Sequence, residues 1–292
     1  MNTVSKRAKH VIEVAKARVV IEDGTIKNVG KPRTKYCPLY EDLYDAKRVT
    51  KQLIRSILKH KIESLGMFTE QRKLDFDDVV PFGTSEMIKT AMKKGLLDST
   101  ILVCEGAGTV ITNDPDLVQG VGARLTGILQ TSPIPAIIEK LKARGAIVLD
   151  PTNATIDQIK GLTKAAELGF KKVAVMLAGH DAWKAPELRK LEKKLGIEVW
   201  IFVLHTTGIK VNEARVLAKS ADVVWACASK VVREIIGPKA LVQIGTAIPV
   251  FAVSKKGKMA ILARAEMIDE PLALLRVKPP MLVAERQPRP LT

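Results

Sequence analysis

Short apolar runs alternate with amphipathic stretches through most of the second half of the chain. The runs rich in β-branched residues are TILVC, AIVLD, KKVAVML, EVWIFVL and DVVWACA, and apolar residues recur at helical spacing between them. Strands that are apolar on both faces and that alternate with helices are typical of right-handed parallel crossovers. The pattern therefore predicts an α/β fold of Rossmann-like type, with a mostly parallel sheet flanked by helices.

The two ends of the chain have different patterns. Residues 9–36 alternate β-branched and polar positions around Asp23-Gly24, which predicts a small β hairpin. Residues 46–66 have helical periodicity and close on a glycine, which predicts a long amphipathic helix. Residues 240–265 predict one further strand and an antiparallel hairpin around Lys256-Gly257.

These patterns divide the chain into three parts. We expect an N-terminal β hairpin with a Cys-Pro segment in residues 1–45 and an α/β domain in residues 46–275. Residues 276–292 are rich in proline, so we expect an extended or disordered tail there.

The composition is that of a globular protein with a full core. The chain has 292 residues, of which 47% are hydrophobic, so its core needs no disulfide bonds. The three cysteines are odd in number, far apart and without a CxxC pair, which indicates a reducing compartment. No apolar run is long enough to cross a bilayer. We expect a cytoplasmic protein with no membrane segment.

The formal net charge of +16 favours anionic partners. Nucleic acid is disfavoured, because the basic residues alternate with acidic ones along the helices and aromatic residues make up only 4% of the chain. The positive charge then attracts an acidic protein partner or an anionic small molecule, or it only keeps the surface solvated.

Residues able to do chemistry follow several of the predicted strands. Ligands of open parallel sheets bind beyond the carboxyl ends of the strands. The candidate catalytic residues selected by this rule are Cys104, Glu105, His180 and His205. A thiol nucleophile with a histidine base is one interpretation. The alternative is that polar residues simply begin wherever a buried strand ends.

Two segments are candidate anion-binding loops. In GVGARLTG, the glycines Gly120, Gly122 and Gly127 leave backbone amides approachable ahead of a predicted helix, and Arg124 offers a bidentate donor. In HTTG, Thr206 and Thr207 offer hydroxyl groups before another predicted helix. The alternatives are glycines required for tight turns and threonines that cap the helix.

The three cysteines also permit a metal hypothesis. Thiolates are the preferred ligands of iron–sulfur clusters, so Cys37, Cys104 and Cys227 are candidate ligands of a [4Fe–4S] cluster with one open iron. The alternative is that these cysteines pack as small hydrophobic side chains, because free cysteine is among the most buried residue types.

Four segments carry a family resemblance: PFGTSEMI, CEGAGTVI, QGVGARLTGILQTSPIPAIIEKL and GTAIPVFAVSKKGK. They resemble the methanogenesis marker protein 8 family of archaea, and the resemblance extends over residues 30–270. It implies a cytoplasmic protein of methanogenic or related anaerobic archaea, but no reaction and no catalytic residues. An anaerobic setting would suit an iron–sulfur enzyme or maturation factor. A basic surface would suit a non-catalytic assembly factor for an enzyme such as methyl-coenzyme M reductase.

Overall fold

A computed structural model describes residues 8–123 and 127–292 of the chain. Its strands, in chain order, are β1 (Lys9–Val14), β2 (Ala17–Glu22), β3 (Thr25–Val29), β4 (Ser99–Cys104), β5 (Gly108–Thr112), β6 (Gly127–Gln130), β7 (Ile147–Val148), β8 (Lys172–Ala178), β9 (Glu198–Leu204), β10 (Val223–Trp225), β11 (Val242–Ile244) and β12 (Val250–Ala252).

The α-helices of the described chain are α1 (Pro38–Tyr44), α2 (Lys51–Leu65), α3 (Thr84–Lys93), α4 (Pro115–Gly122), α5 (Pro135–Ala143), α6 (Gln158–Glu167), α7 (Lys184–Leu195), α8 (Val211–Ser220) and α9 (Lys255–Ala265). None of them is both long enough and apolar enough to span a bilayer.

The main sheet is mixed, in the order β11-β12-β10-β9-β8-β4-β5-β7. Its central pairs, β4–β8, β8–β9 and β9–β10, are parallel. The outer pairs, β4–β5, β5–β7, β10–β12 and β11–β12, are antiparallel. The prediction of a mostly parallel, Rossmann-like sheet is therefore wrong.

A short connection explains the difference on one side of the sheet. Only Glu105, Gly106 and Ala107 lie between β4 and β5, and a parallel crossover needs a dozen or more residues. The chain must therefore turn back in a hairpin. The sequence GTVIT, with its glycine and threonines, lacks the continuous apolar run that identified the other strands.

The predicted hairpin around Lys256-Gly257 is also wrong, because α9 begins there. The Ser254 hydroxyl accepts a hydrogen bond from the Gly257 amide at 3.1 Å and caps this helix. A Cβ at position 257 would lie 2.0 Å from the carbonyl oxygen of Asp222, so this glycine is required for close packing. The antiparallel hairpin near this end of the chain is β11–β12.

Helices cover both faces of the main sheet. Apolar residues of α6, α7 and α8, among them Leu162 and Leu188, pack with Val175 of β8 on one face. On the other face, Ile88 of α3 and Ile261 of α9 pack with Trp200 of β9. The two longest strands, β8 and β9, thus lie at the centre of the core.

A second, antiparallel sheet has the order β3-β2-β1-β6. Asp23-Gly24 forms the turn between β2 and β3, as the sequence predicts, and both residues have positive φ. Helix α2 lies on this sheet and contributes Ile54 and Leu58 to their shared apolar core. Its N-terminus is capped by the Thr50 hydroxyl, which accepts from the Leu53 amide at 3.1 Å.

The last residues of the chain are extended and form hydrogen bonds with a segment that follows β3 and with the loop that follows β10. The backbone of Arg289 pairs with that of Tyr36, and the Thr292 amide donates to the Ala228 carbonyl at 2.8 Å. Arg233, which is buried, donates to the Gln287 side chain at 2.8 Å.

Candidate functional site

Strand β6 crosses the carboxyl edge, which we define as the edge of the main sheet where β4, β8, β9 and β10 end. At the start of β6, a Cβ on Gly127 would lie 3.5 Å from Cγ of His205, which follows β9. Just after β6, the Thr131 hydroxyl accepts from the Gly106 amide, which follows β4, at 2.8 Å. The second sheet therefore contacts this edge, at which the sequence predicts a ligand site, at the ends of β4 and β9.

Glu105 is held in a fully buried ion pair. Its Oε1 accepts from Nε of Arg72 at 2.5 Å, and neither side chain has any exposed surface. The same guanidinium donates to the backbone carbonyls of Lys73 and Val121. Buried charges require such compensation, so Arg72 fixes the tight β4–β5 turn to the end of α4.

Cys104 lies beside this ion pair. Its Sγ is 3.7 Å from Oε2 of Glu105 and the residue is fully buried. Burial, reinforced by the Glu105 charge, raises the pKa of this thiol well above its ordinary value. The thiol is therefore protonated at neutral pH, whereas a nucleophile or metal ligand must be a thiolate.

A buried histidine that the sequence did not single out lies next to the same turn. Nδ1 of His10 is 2.7 Å from the Thr131 hydroxyl, which already accepts from the Gly106 amide. Nε2 of the same ring is buried without a hydrogen-bond partner in the described chain. Burial lowers the pKa of His10 to about 4.

His205 is the centre of a group of basic side chains, which we call the basic cluster: His205, His180, Lys16 and Lys61. Burial lowers the pKa of His205 to about 4, and the charges of the other three members act in the same direction. The His205 backbone is left-handed, with φ of 54°, which directs the chain sharply out of β9.

Three elements bring the other members of the basic cluster to His205. Lys16 lies in the β1–β2 turn, bonds Glu13 at 3.0 Å, and would have its Nζ 3.6 Å from a Cβ on Gly208. Lys61 is a buried residue of α2. His180 lies in the turn after β8, and its ring is 38% exposed. Two lysines thus join the two histidines predicted from strand ends.

The two threonines of HTTG fasten neighbouring strand ends to each other. The Thr206 hydroxyl donates to the Trp225 carbonyl at 2.6 Å, and the Thr207 hydroxyl accepts from the Ala228 amide at 3.2 Å. Neither caps α8, whose N-cap residue is Lys210. Both contacts join the segment after β9 to β10 and the loop that follows it.

The glycine segment ends a helix instead of beginning one. Gly120 and Gly122 are the last turn of α4, and Gly127 begins β6. A helix carboxyl end carries partial negative charge, which disfavours an anion there. A Cβ on Gly120 would lie 1.7 Å from the Leu74 carbonyl oxygen, so packing explains this glycine. Arg124 lies outside the described residues.

The three cysteines divide into a pair and a single residue. Cys37 and Cys227 interact electrostatically with each other, whereas Cys104 interacts with Glu105 and Arg72. Burial raises the pKa of Cys37 to about 11. Within residues 8–123 and 127–292, no three His, Cys, Asp or Glu side chains are grouped as metal ligands would be. This arrangement gives the three-cysteine cluster no support.

The sequence did not identify Arg72, His10, Lys16 or Lys61 as members of a site. Arg72 stands in a charge-rich loop, QRKLDFDD, and the lysines belong to a turn and a mixed-charge helix. The one local signal is His10, which precedes two apolar residues, Val11 and Ile12, in strand β1.

Comparisons with known proteins agree on the family. The model of a family described as "Uncharacterized protein conserved in archaea (DUF2099)" matches residues 10–266. The uncharacterized protein MJ0054 of Methanocaldococcus jannaschii is 40% identical over 286 residues, which are 97% of this chain and 99% of that protein. The family description is broader than the methanogenesis marker name and states no activity. The chain belongs to this conserved archaeal family, DUF2099.

Proposed function

We propose that the protein binds a phosphorylated or carboxylated small molecule at the basic cluster. The observation that carries the proposal is the convergence of His180, Lys16 and Lys61 on His205, at the carboxyl edge of the parallel strands. Anions are stabilised by clustered ammonium groups and by imidazole N–H donors. The end of a parallel strand is the usual position for such a ligand.

The charge state of His205 links the ligand to protons. In the free protein its pKa of about 4 keeps the ring neutral at pH 7. A bound anion would add negative charge beside His205 and favour the imidazolium form. The pKa of His205 should therefore rise when the anion binds, and proton uptake should accompany binding below neutral pH.

We place this function in or beside methanogenesis, on the strength of the motif resemblance. The ligand would then be a phosphorylated or carboxylated cofactor or intermediate of that metabolism. The same proposal covers an enzymatic and a purely binding role, because the basic cluster supplies both anion recognition and, in His205, a proton acceptor.

A titration of the histidine ring signals by NMR tests the proposal, with inorganic phosphate and with succinate as probes. We expect the pKa of His205 to move from about 4 toward its ordinary value when a probe binds. Lys16→Met should weaken the binding of the probe by about tenfold. Lys59→Met, an exposed lysine of α2, is the matched control and should leave binding unchanged.

Unchanged histidine signals at millimolar concentrations of both probes would contradict the anion site. So would equal weakening by the Lys16 and Lys59 substitutions, because only Lys16 belongs to the basic cluster.

The net charge of +16 favours a second candidate, docking to an acidic protein during enzyme assembly. The two candidates differ in where charge matters. Reversal of exposed lysines on α7, such as Lys190 and Lys194, should abolish capture of an acidic partner and leave phosphate binding intact. Loss of both would show that the two functions share one surface.

A further inference from the structure

Residues 269–278 form an exposed apolar segment. Within the described chain they make no hydrogen bond and no ion pair. The exposed fractions of Leu272, Leu274, Leu275 and Val277 are 43, 71, 64 and 52%. An extended backbone with unused donors and acceptors, bearing this many exposed leucines, is typical of a segment that binds a surface.

The segment is tied at both ends. It leaves α9 shortly after Glu266, and beyond it Met281 exchanges two hydrogen bonds with the side chain of Gln243 on β11. Arg286 then pairs with Asp42 at 2.9 Å. The chain on each side is thus fixed to the protein, while the ten residues between are not.

A groove of about 670 Å³ lies beside the start of the segment, between the end of α3 and α9. Its floor is apolar, with Leu96, Met259 and Leu262, and two of these, Met259 and Leu262, are each 42% exposed. Lys255 and Lys258 stand on its rim and have no ion-pair partner in the described chain.

The segment and the groove are complementary. Asp269 and Glu270, which precede the leucines, are exposed and also lack ion-pair partners among the described residues. An acidic pair followed by leucines matches a basic rim above an apolar floor. The segment also carries Arg276 and Lys278 after the leucines, and the groove carries Glu266, which pairs with Lys94. The complementary charges are therefore the acidic end of the segment and the two lysines on the rim, Lys255 and Lys258.

We propose that the protein forms a two-fold dimer in which residues 269–278 of each copy lie in the α3–α9 groove of the other. Both halves of the contact are present on one chain, and a two-fold axis brings them together twice. The leucines supply the buried apolar area. The two acidic residues set the register against Lys255 and Lys258.

Charge exchange tests this arrangement, with the oligomeric state measured by light scattering and sedimentation over a concentration series. We expect a dimer of the unmodified protein. The pair Lys255→Glu/Lys258→Glu should raise the dimer Kd by about tenfold, and Asp269→Lys/Glu270→Lys should do the same. The four substitutions combined should restore it. Lys190→Glu/Lys194→Glu on α7 controls for net charge.

Removal of the leucines is a second, independent measurement. Leu274→Ser/Leu275→Ser should raise the Kd by roughly a hundredfold, whereas Leu168→Ser, at a 43% exposed site just past α6, should not. A protein that is monomeric throughout the series overturns the proposal. A dimer that tolerates both charge reversals and the leucine substitutions also overturns it.

Discussion

Arg72 donates through Nε to Oε1 of Glu105 at 2.5 Å, and both side chains are fully buried. The carboxylate stands at the end of β4, and the guanidinium comes from a loop between α2 and α3. This ion pair gives the segment Cys104-Glu105-Gly106 a structural role. These residues form a buried turn instead of an exposed strand end, and the carboxylate of Glu105 holds two parts of the fold together.

Loss of one partner of this ion pair should be strongly destabilising. Arg72→Met leaves a buried carboxylate without its charge partner, so we expect the free energy of unfolding in urea to fall by about 3 to 5 kcal/mol. The double variant Arg72→Met/Glu105→Leu should lose less than the sum of the two single substitutions. Strict additivity would contradict the pairing. Lys59→Met, in an exposed pair with Glu63, should cost less than about 0.5 kcal/mol.

His10 should make the protein sensitive to mild acid. Its pKa is about 4 in the folded state and 6.5 as the ordinary value, so the unfolded chain binds the proton first as the pH falls. The contribution of His10 to the free energy of unfolding is therefore complete above pH 6.5, and it is lost as the pH falls to 4. The shift corresponds to about 3 kcal/mol over that window. His205 has the same lowered pKa and contributes to the same window, so His10→Leu should remove about half of the slope in this part of the curve of unfolding free energy against pH.

The control for this measurement is His60→Leu, because His60 is an exposed residue of α2. It should leave the pH dependence of unfolding as it is in the unmodified protein. If His10→Leu and His60→Leu give the same curve, the buried imidazole is not the group responsible.

Two glycines of the GVGARLTG segment should respond differently to alanine. At Gly120 a methyl group would meet the Leu74 carbonyl oxygen at 1.7 Å, so Gly120→Ala should cost about 2 to 3 kcal/mol despite the better helix propensity of alanine. At Gly127 the nearest atom is at 3.5 Å, and Gly127→Ala should cost less than about 1 kcal/mol. Thermal unfolding compares the two. Equal costs would contradict the packing role of Gly120.

The thiols should differ in their reaction with iodoacetamide in the native protein at pH 8. Cys104 should remain unlabelled until the protein unfolds, since it is fully buried and its pKa is well above the ordinary value. Cys37 should react slowly, because its pKa is about 11. Mass spectrometry of peptides after brief exposure to iodoacetamide measures the labelling of both cysteines. Rapid native labelling of Cys104, or iron uptake that requires all three cysteines, would contradict the buried turn.

Hydrophobic periodicity was enough to locate the central strands and most helices. The runs that form β4, β8, β9 and β10 are apolar because both faces of each strand are covered by helices, and burial of this kind is visible in a single segment. The same reasoning correctly placed His205 and His180 at strand ends. It also found the Asp23-Gly24 turn, because the backbone there requires residues that tolerate positive φ.

The tertiary structure alone decided strand direction and the composition of the site. Periodicity reports which positions are buried, but not which strand lies alongside or in which direction it runs, so the antiparallel β5, β7, β11 and β12 were missed or assigned wrongly. Contacts such as Arg72 with Glu105, or Lys16 and Lys61 with His205, join residues far apart in the chain. No local pattern encodes them, because they exist only once the second sheet lies across the carboxyl edge.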